Sequence, residues 1–200
     1  MSPIPGPLIL LVLPLAAAAV TYLVRRWAIL AALIAALTSG TVAILSLRLP
    51  LDQTAFVLGR EVAFGRPVVV LGRVLVLNPG DQIWLAFIFG LAVVLYLIAW
   101  RISQGRAFFS FSLVILSLYA LVVLLQSLSL AILVFAISAT LAIFVVQGAI
   151  HPSVRGSQRY LLVTLLSVPL LLTAVWLVDQ SLAAPENAAL ASQALLPTLL

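Results

Sequence analysis

Moving protons or ions through a protein takes side chains that change charge near neutral pH, and this chain offers few. It has one histidine, five acids and ten basic residues, every one of them arginine. Arginine keeps its proton at accessible pH and cannot serve as a relay. His151 stands beside Pro152 and near Arg155 and Arg159 in a connecting segment; it could admit protons, but a solvated loop histidine is the commoner outcome. No ionisable residue falls inside a long apolar run, where its burial would be expensive and would mark function by default. The runs instead hold hydroxyls: Thr38, Ser39 and Thr41 around Gly40, then Ser117, Tyr119, Ser138, Thr140, Thr164, Ser167 and Thr173. Pro169 also removes a backbone donor and leaves the Leu165 carbonyl in need of another partner, which Thr164, Ser167 or a water could supply. Ser138, Thr140, Thr164 and Ser167 are therefore the candidates for a hydrated path between two helices. The competing and more favoured reading is helix packing, in which small and hydroxyl residues permit close approach and bond across the interface. There is no HExxH, no phosphate-cradling glycine loop and no Ser/His/Asp set. With no cysteine, thiolate-bound metals and disulfides are excluded; no catalytic residue, metal or cofactor is expected.

These hydroxyls are carried by elements that the composition identifies. At 65% hydrophobic and 8% charged, the chain lies far from the soluble average of roughly 45 to 50% apolar and about 25% charged. A bilayer core of about 30 Å needs roughly 20 apolar residues per helix. Uncharged runs of that order cover 7–24, 27–47, 83–100, 107–150 and 160–178. The fourth run would be about 66 Å long as one helix, so it must fold back. Its most polar point, Gln126-Ser127, divides it into 107–125 and 128–150. The expectation is an all-α integral membrane fold with six complete transmembrane helices and a truncated seventh, starting at Ala188 and continuing in a longer chain. A C-terminus lying along the membrane surface, interrupted at Pro197 and Thr198, is the other possibility.

The chain then divides into helices 1 and 2 (1–47), an outer loop (48–82) and the remaining helices (83–200). Within the loop, Val and Leu clusters around Gly65-Arg66-Pro67, closed by Asn78-Pro79-Gly80, predict one short β-hairpin. Gly59, Gly65 and Gly72 read as turn punctuation. The start MSPIPGPLILLVLPLAAAAVTYLVRR, with no basic residue before its apolar run, reads as a membrane helix and not a secretory signal. Retention of arginine on the cytoplasmic side puts the N-terminus outside, with Arg25, Arg26, Arg101, Arg106, Arg155 and Arg159 inside. The net charge of +5 is scattered as singles and pairs, which argues against nucleic-acid binding.

The order of these elements, two helices, an outer hairpin and then helices without long loops, resembles the N-terminal half of a known family. These are the proton-conducting antiporter-like subunits shared by respiratory complex I, membrane-bound hydrogenases and Mrp-type antiporters. The likeness is specific in RVLVLNPGDQIWLAFIFGLAVVLYLIAW and in SLSLAILVFAISATLAIFVVQG followed by SVRGSQRYLLVTLLSVPLLLTAVWLVDQS. Arg159-Tyr160 resembles the basic-Tyr pair that opens the family's sixth helix. The resemblance implies a non-redox membrane subunit of an NADH:quinone oxidoreductase-like translocase that contributes to ion translocation. It also implies other membrane subunits of a respiratory or antiporter complex as partners, together with the lipid bilayer, in an energy-conserving membrane such as the bacterial plasma membrane. Family members relay protons through buried Lys and Glu. The Glu of the fifth helix would match Ala136, and no residue from Ile132 to Thr140 is acidic. The Lys that pairs with it would lie beyond Leu200. A degenerate, non-pumping structural module is accordingly the alternative, and a small self-contained transporter the third reading.

Overall fold

The computed structural model describes residues 4–48, 54–57, 60–63, 67–70, 73–101, 105, 107–147 and 154–195. Six helices carry the fold: α1 (Gly6–Leu23), α2 (Ala28–Arg48), α3 (Pro79–Ala99), α4 (Phe108–Leu124), α5 (Leu128–Gln147) and α6 (Val154–Leu195). Five contain stretches long and apolar enough to cross a membrane, which makes the chain a multi-pass integral membrane protein embedded in a lipid bilayer. The exception is α4, whose 17 residues reach only about 26 Å. The fold-back at Gln126-Ser127 is present as expected. Ser127 starts α5 by accepting the Ala131 N–H at its carbonyl, 3.0 Å, and the Leu130 N–H at its hydroxyl, 3.4 Å.

α1 to α4 form a closed bundle. α2 packs chiefly on α3 and α1 chiefly on α4, while α1 also meets α2 and α3 meets α4. The sequence cause is visible in α2, whose buried face is almost all small: Ala31, Ala32, Ala35, Ala36, Ser39, Val42 and Ser46. Against it α3 sets Leu85, Phe89, Ala92, Tyr96 and Ala99 at helical spacing. In lipid there is little hydrophobic gain from pairing two apolar helices, so close van der Waals packing of this kind must hold them together. α5 adds to the outside of α4, with Phe111 stacked on Phe144 (6.3 Å) and Tyr119 tilted over Phe135 (5.9 Å). α6 in turn packs on α5.

The β-hairpin expected between α2 and α3 is present, and a second accompanies it. In the two, β2 (Thr54–Val57) pairs antiparallel with β3 (Arg60–Ala63), and β4 (Val68–Val70) with β5 (Arg73–Leu75). The two-residue strand β1 (Ile4–Pro5) joins β3 in parallel. Each hairpin reverses inside a repeated Val-Leu-Gly-Arg, at 57–60 and again at 70–73, with Val paired to Arg across the connection. Gly59, Gly65, Arg66 and Gly72 lie outside the described residues, and 65–66 fall between the hairpins, not at a hairpin turn. Asn78-Pro79-Gly80 closes no hairpin either. Asn78 is the N-cap of α3 and Pro79 its first residue, where a missing N–H does no harm. The Asp81 carboxylate accepts from the Asn78 backbone N–H at 3.0 Å and from its side-chain amide at 2.8 Å.

The second correction concerns the C-terminal region. The polar stretch after Val178 was expected to break the chain before a seventh helix at Ala188, but α6 runs unbroken from Val154 to Leu195. Its apolar part, Gly156–Val178, suffices to cross a bilayer. Beyond it Ala and Leu make up nine of the seventeen residues of 179–195, and their helix propensity favours continuation although hydropathy falls and Pro185 interrupts the run.

Up-and-down connection places β1, both hairpins and the α4–α5 turn at one end, called here the hairpin end. The 24–27 turn, the end of α3 with the start of α4, and the end of α5 with the start of α6 lie at the other, the arginine end. The four tryptophans obey this division. Trp27 and Trp100 mark the arginine end and Trp84 and Trp176 the hairpin end, all between 43% and 66% exposed. Trp84 and Trp100 are about 24 Å apart along α3, as two interfacial aromatic belts require.

Candidate functional site

The short helix α4 is where polar contacts converge, and its neighbours explain how it tolerates its length. At the hairpin end the Val76 N–H donates to the Leu124 carbonyl (3.1 Å), and Leu75 bridges to Leu125. One of the carbonyls left over at the helix C-terminus is thereby satisfied by the loop. Leu75 and Leu77, both nearly inaccessible, continue the apolar core over this end.

Two hydroxyl contacts join α4 to α1. The Thr21 and Ser110 hydroxyls lie 3.2 Å apart, and Thr21 also donates to the Ala18 carbonyl at 2.9 Å. Farther along, the Ser117 hydroxyl donates to the Leu11 carbonyl at 3.0 Å. That contact sits beside Pro14, which has no N–H for the Leu10 carbonyl and disturbs the α1 ladder there. Ser117 was among the residues singled out in the sequence; Thr21 and Ser110 were not, since nothing in a run of Leu, Ala and Val indicates which hydroxyls will face each other.

On the opposite side of the bundle, the hydroxyls of Ser39 and Tyr96 are buried without a hydrogen-bond partner. The Tyr96 ring meets Phe109 edge-on, with centroids 5.9 Å apart, and its hydroxyl lies near Ser112, which donates instead to the Phe109 carbonyl at 3.1 Å.

The four candidates for a hydrated path occupy α5 and α6. Ser138 is fully buried and donates to the Phe135 carbonyl at 2.7 Å. Thr140 is exposed and donates to the carbonyl of Ala136, the half-buried position of the absent Glu, at 2.8 Å. Thr164 and Ser167 are half-buried and donate one turn back, to Tyr160 (2.9 Å) and Val163 (2.7 Å), and not to Leu165. Each hydroxyl hydrogen is thus engaged within its own helix. One grouping spans helices: Tyr119 of α4 lies near Ser138 of α5 and within electrostatic range of Tyr160 of α6. Tyr160 is the member that hydroxyl counting missed. His151 lies outside the described residues.

Among the described residues no three of His, Cys, Asp and Glu come together as metal ligands would. The membrane-level chemistry on offer is hydrogen bonding by neutral hydroxyls, which can order a water but cannot hold a charge that switches. No protein-family model, curated protein or solved structure matches the chain.

Proposed function

We propose that this chain is a membrane subunit of a proton-translocating, antiporter-like assembly of the NADH:quinone oxidoreductase kind, in which these helices serve as scaffold and not as relay. The assignment to that kind of assembly rests on the resemblance of the hairpin-to-helix segment and of the segment around Arg159-Tyr160. The observation that carries the scaffold role is the state of the spans: among the described residues the one carboxylate they hold is Asp81, engaged with Asn78 in the first turn of α3, they hold no histidine or lysine, and Ser138, Thr140, Thr164 and Ser167 all bond to their own helices. A proton path needs groups free to exchange partners. The setting is an energy-conserving bacterial plasma membrane, with the hairpin end outside because the arginines of short connections gather at the other.

A second reading, direct participation in ion translocation, draws on Tyr119 of α4, whose ring lies 5.9 Å from that of Phe135 on α5 and which stands near Ser138. It would need a charged group from another segment or subunit to complete a relay.

Native electrophoresis of the epitope-tagged chain from mildly solubilised membranes tests the subunit assignment. Migration within a large assembly that contains other multi-pass proteins of an antiporter or respiratory complex is expected. A monomer or a simple homo-oligomer under those conditions would overturn it.

A further inference from the structure

A groove of about 490 Å³ runs between α1 and α4 at the arginine end. Its walls include Leu15, Ala19, Leu23, Phe111 and Val114, and Tyr22 stands at its rim. From Leu15 to Leu23 it extends about 12 Å along α1, starting at the level of the exposed aromatics Tyr22 and Trp27. Its lining also includes the small residues Ala18 and Ser110. At the rim, the Arg25 guanidinium is held 4.7 Å from the Tyr22 ring centroid, with Arg26 next in sequence. The acid whose side chain is described, Asp81, caps α3 at the hairpin end, away from this pair.

We propose that the groove holds one acyl chain of an anionic phospholipid, whose phosphate is bound by Arg25 and Arg26. The apolar walls match a hydrocarbon chain entering from the interface, and paired guanidinium groups match phosphate in geometry as well as charge. Basic clusters at one membrane face attract anionic headgroups. A helix from a partner subunit fits less well, because an apolar helix seated here would bury two guanidinium groups unpaired. The proposal rests on the membrane embedding of the chain and is independent of the translocase reading.

The test uses the full chain purified in mild detergent, delipidated and titrated with phosphatidylglycerol, phosphatidylcholine or inorganic phosphate, with retained lipid counted by native mass spectrometry. One phosphatidylglycerol per chain should be retained in preference to phosphatidylcholine, and inorganic phosphate should give no thermal stabilisation. Arg25→Gln and Arg26→Gln should each weaken phosphatidylglycerol binding about fivefold and leave the melting temperature in detergent alone unchanged. Ala19→Trp, which fills the groove, should abolish retention even with both arginines present; should that variant fail to fold, the arginine variants decide alone. Equal retention of both lipids, equal stabilisation by free phosphate, or undiminished binding by the arginine variants would each overturn the proposal. So would photocrosslinking from Ala19 in native membranes to a polypeptide and not to lipid.

Discussion

The bundle of α1 to α4 and the arm formed by α6 are built from nearly the same residues and behave as different materials. In the bundle, a continuous apolar core draws on all four helices, and Phe89, Leu10, Leu85 and Leu113 are completely buried. In α6, Ser157 and Val175 are the buried residues among those described, while Leu162, Leu165, Leu166 and Leu170 are all about 60% exposed. Composition cannot account for the contrast. What differs is small residues against large: α2 buries four alanines where it packs on α3, and Phe89 is buried in the same core, whereas α6 leaves most of its leucines exposed. The bundle has a packed core of its own, whereas nearly all of the described surface of α6 is left for lipid or a partner to cover.

Truncation should expose this difference most strongly. Phe89→Ala in the bundle is expected to destabilise by about 3 to 5 kcal/mol, whereas Leu170→Ala on the arm should stay within about 0.5 kcal/mol, both read from unfolding of the detergent-solubilised chain. Similar losses at the two sites would erase the distinction. Asp81→Ala removes the capping contacts that start α3 beneath the hairpins and should cost about 1 kcal/mol, with Asp81→Asn recovering part of it. Tyr96→Phe deletes a buried hydroxyl that has no partner, so it should be neutral or stabilising by up to about 1 kcal/mol; clear destabilisation would mean that the hydroxyl is bonded. The smallest effect belongs to the Thr21 and Ser110 pair. A double-mutant cycle with Thr21→Val and Ser110→Ala should give a coupling of about 0.6 kcal/mol, typical of hydroxyl contacts between membrane helices.

Run length and charge placement were enough to foresee most of the helices, because a bilayer imposes one length on every crossing. Even the fold-back of a long uncharged run could be located, since Gln126-Ser127 is its most polar point. The features missed were those written in local chemistry. Asn78-Pro79-Gly80-Asp81 reads as a turn if Pro and Gly are taken as breakers, and as a helix start if Asn is taken as a cap with an acid three residues on. The duplicated Val-Leu-Gly-Arg signals two reversals, but only when the outer loop is compared with itself. The continuation of α6 past Val178 was obscured because Asp179, Pro185 and Asn187 read as breakers in a stretch otherwise dominated by Ala and Leu. As for the hydroxyls, the sequence shows which residues can donate but not to what. Ser117 turned out to bond across helices, while Thr140, Thr164 and Ser167 bond within them, and these outcomes depend on helix rotation, which a run of Leu, Ala and Val leaves unspecified.

The central claim is that these spans support an assembly without themselves relaying protons. It is tested most directly by reconstituting the full chain into vesicles that enclose a pH-sensitive dye, imposing a pH gradient and following its decay with the membrane potential clamped. The account predicts decay no faster than in protein-free vesicles. A protein-dependent proton flux that saturates with the gradient and falls in Tyr119→Phe or Ser138→Ala would contradict it.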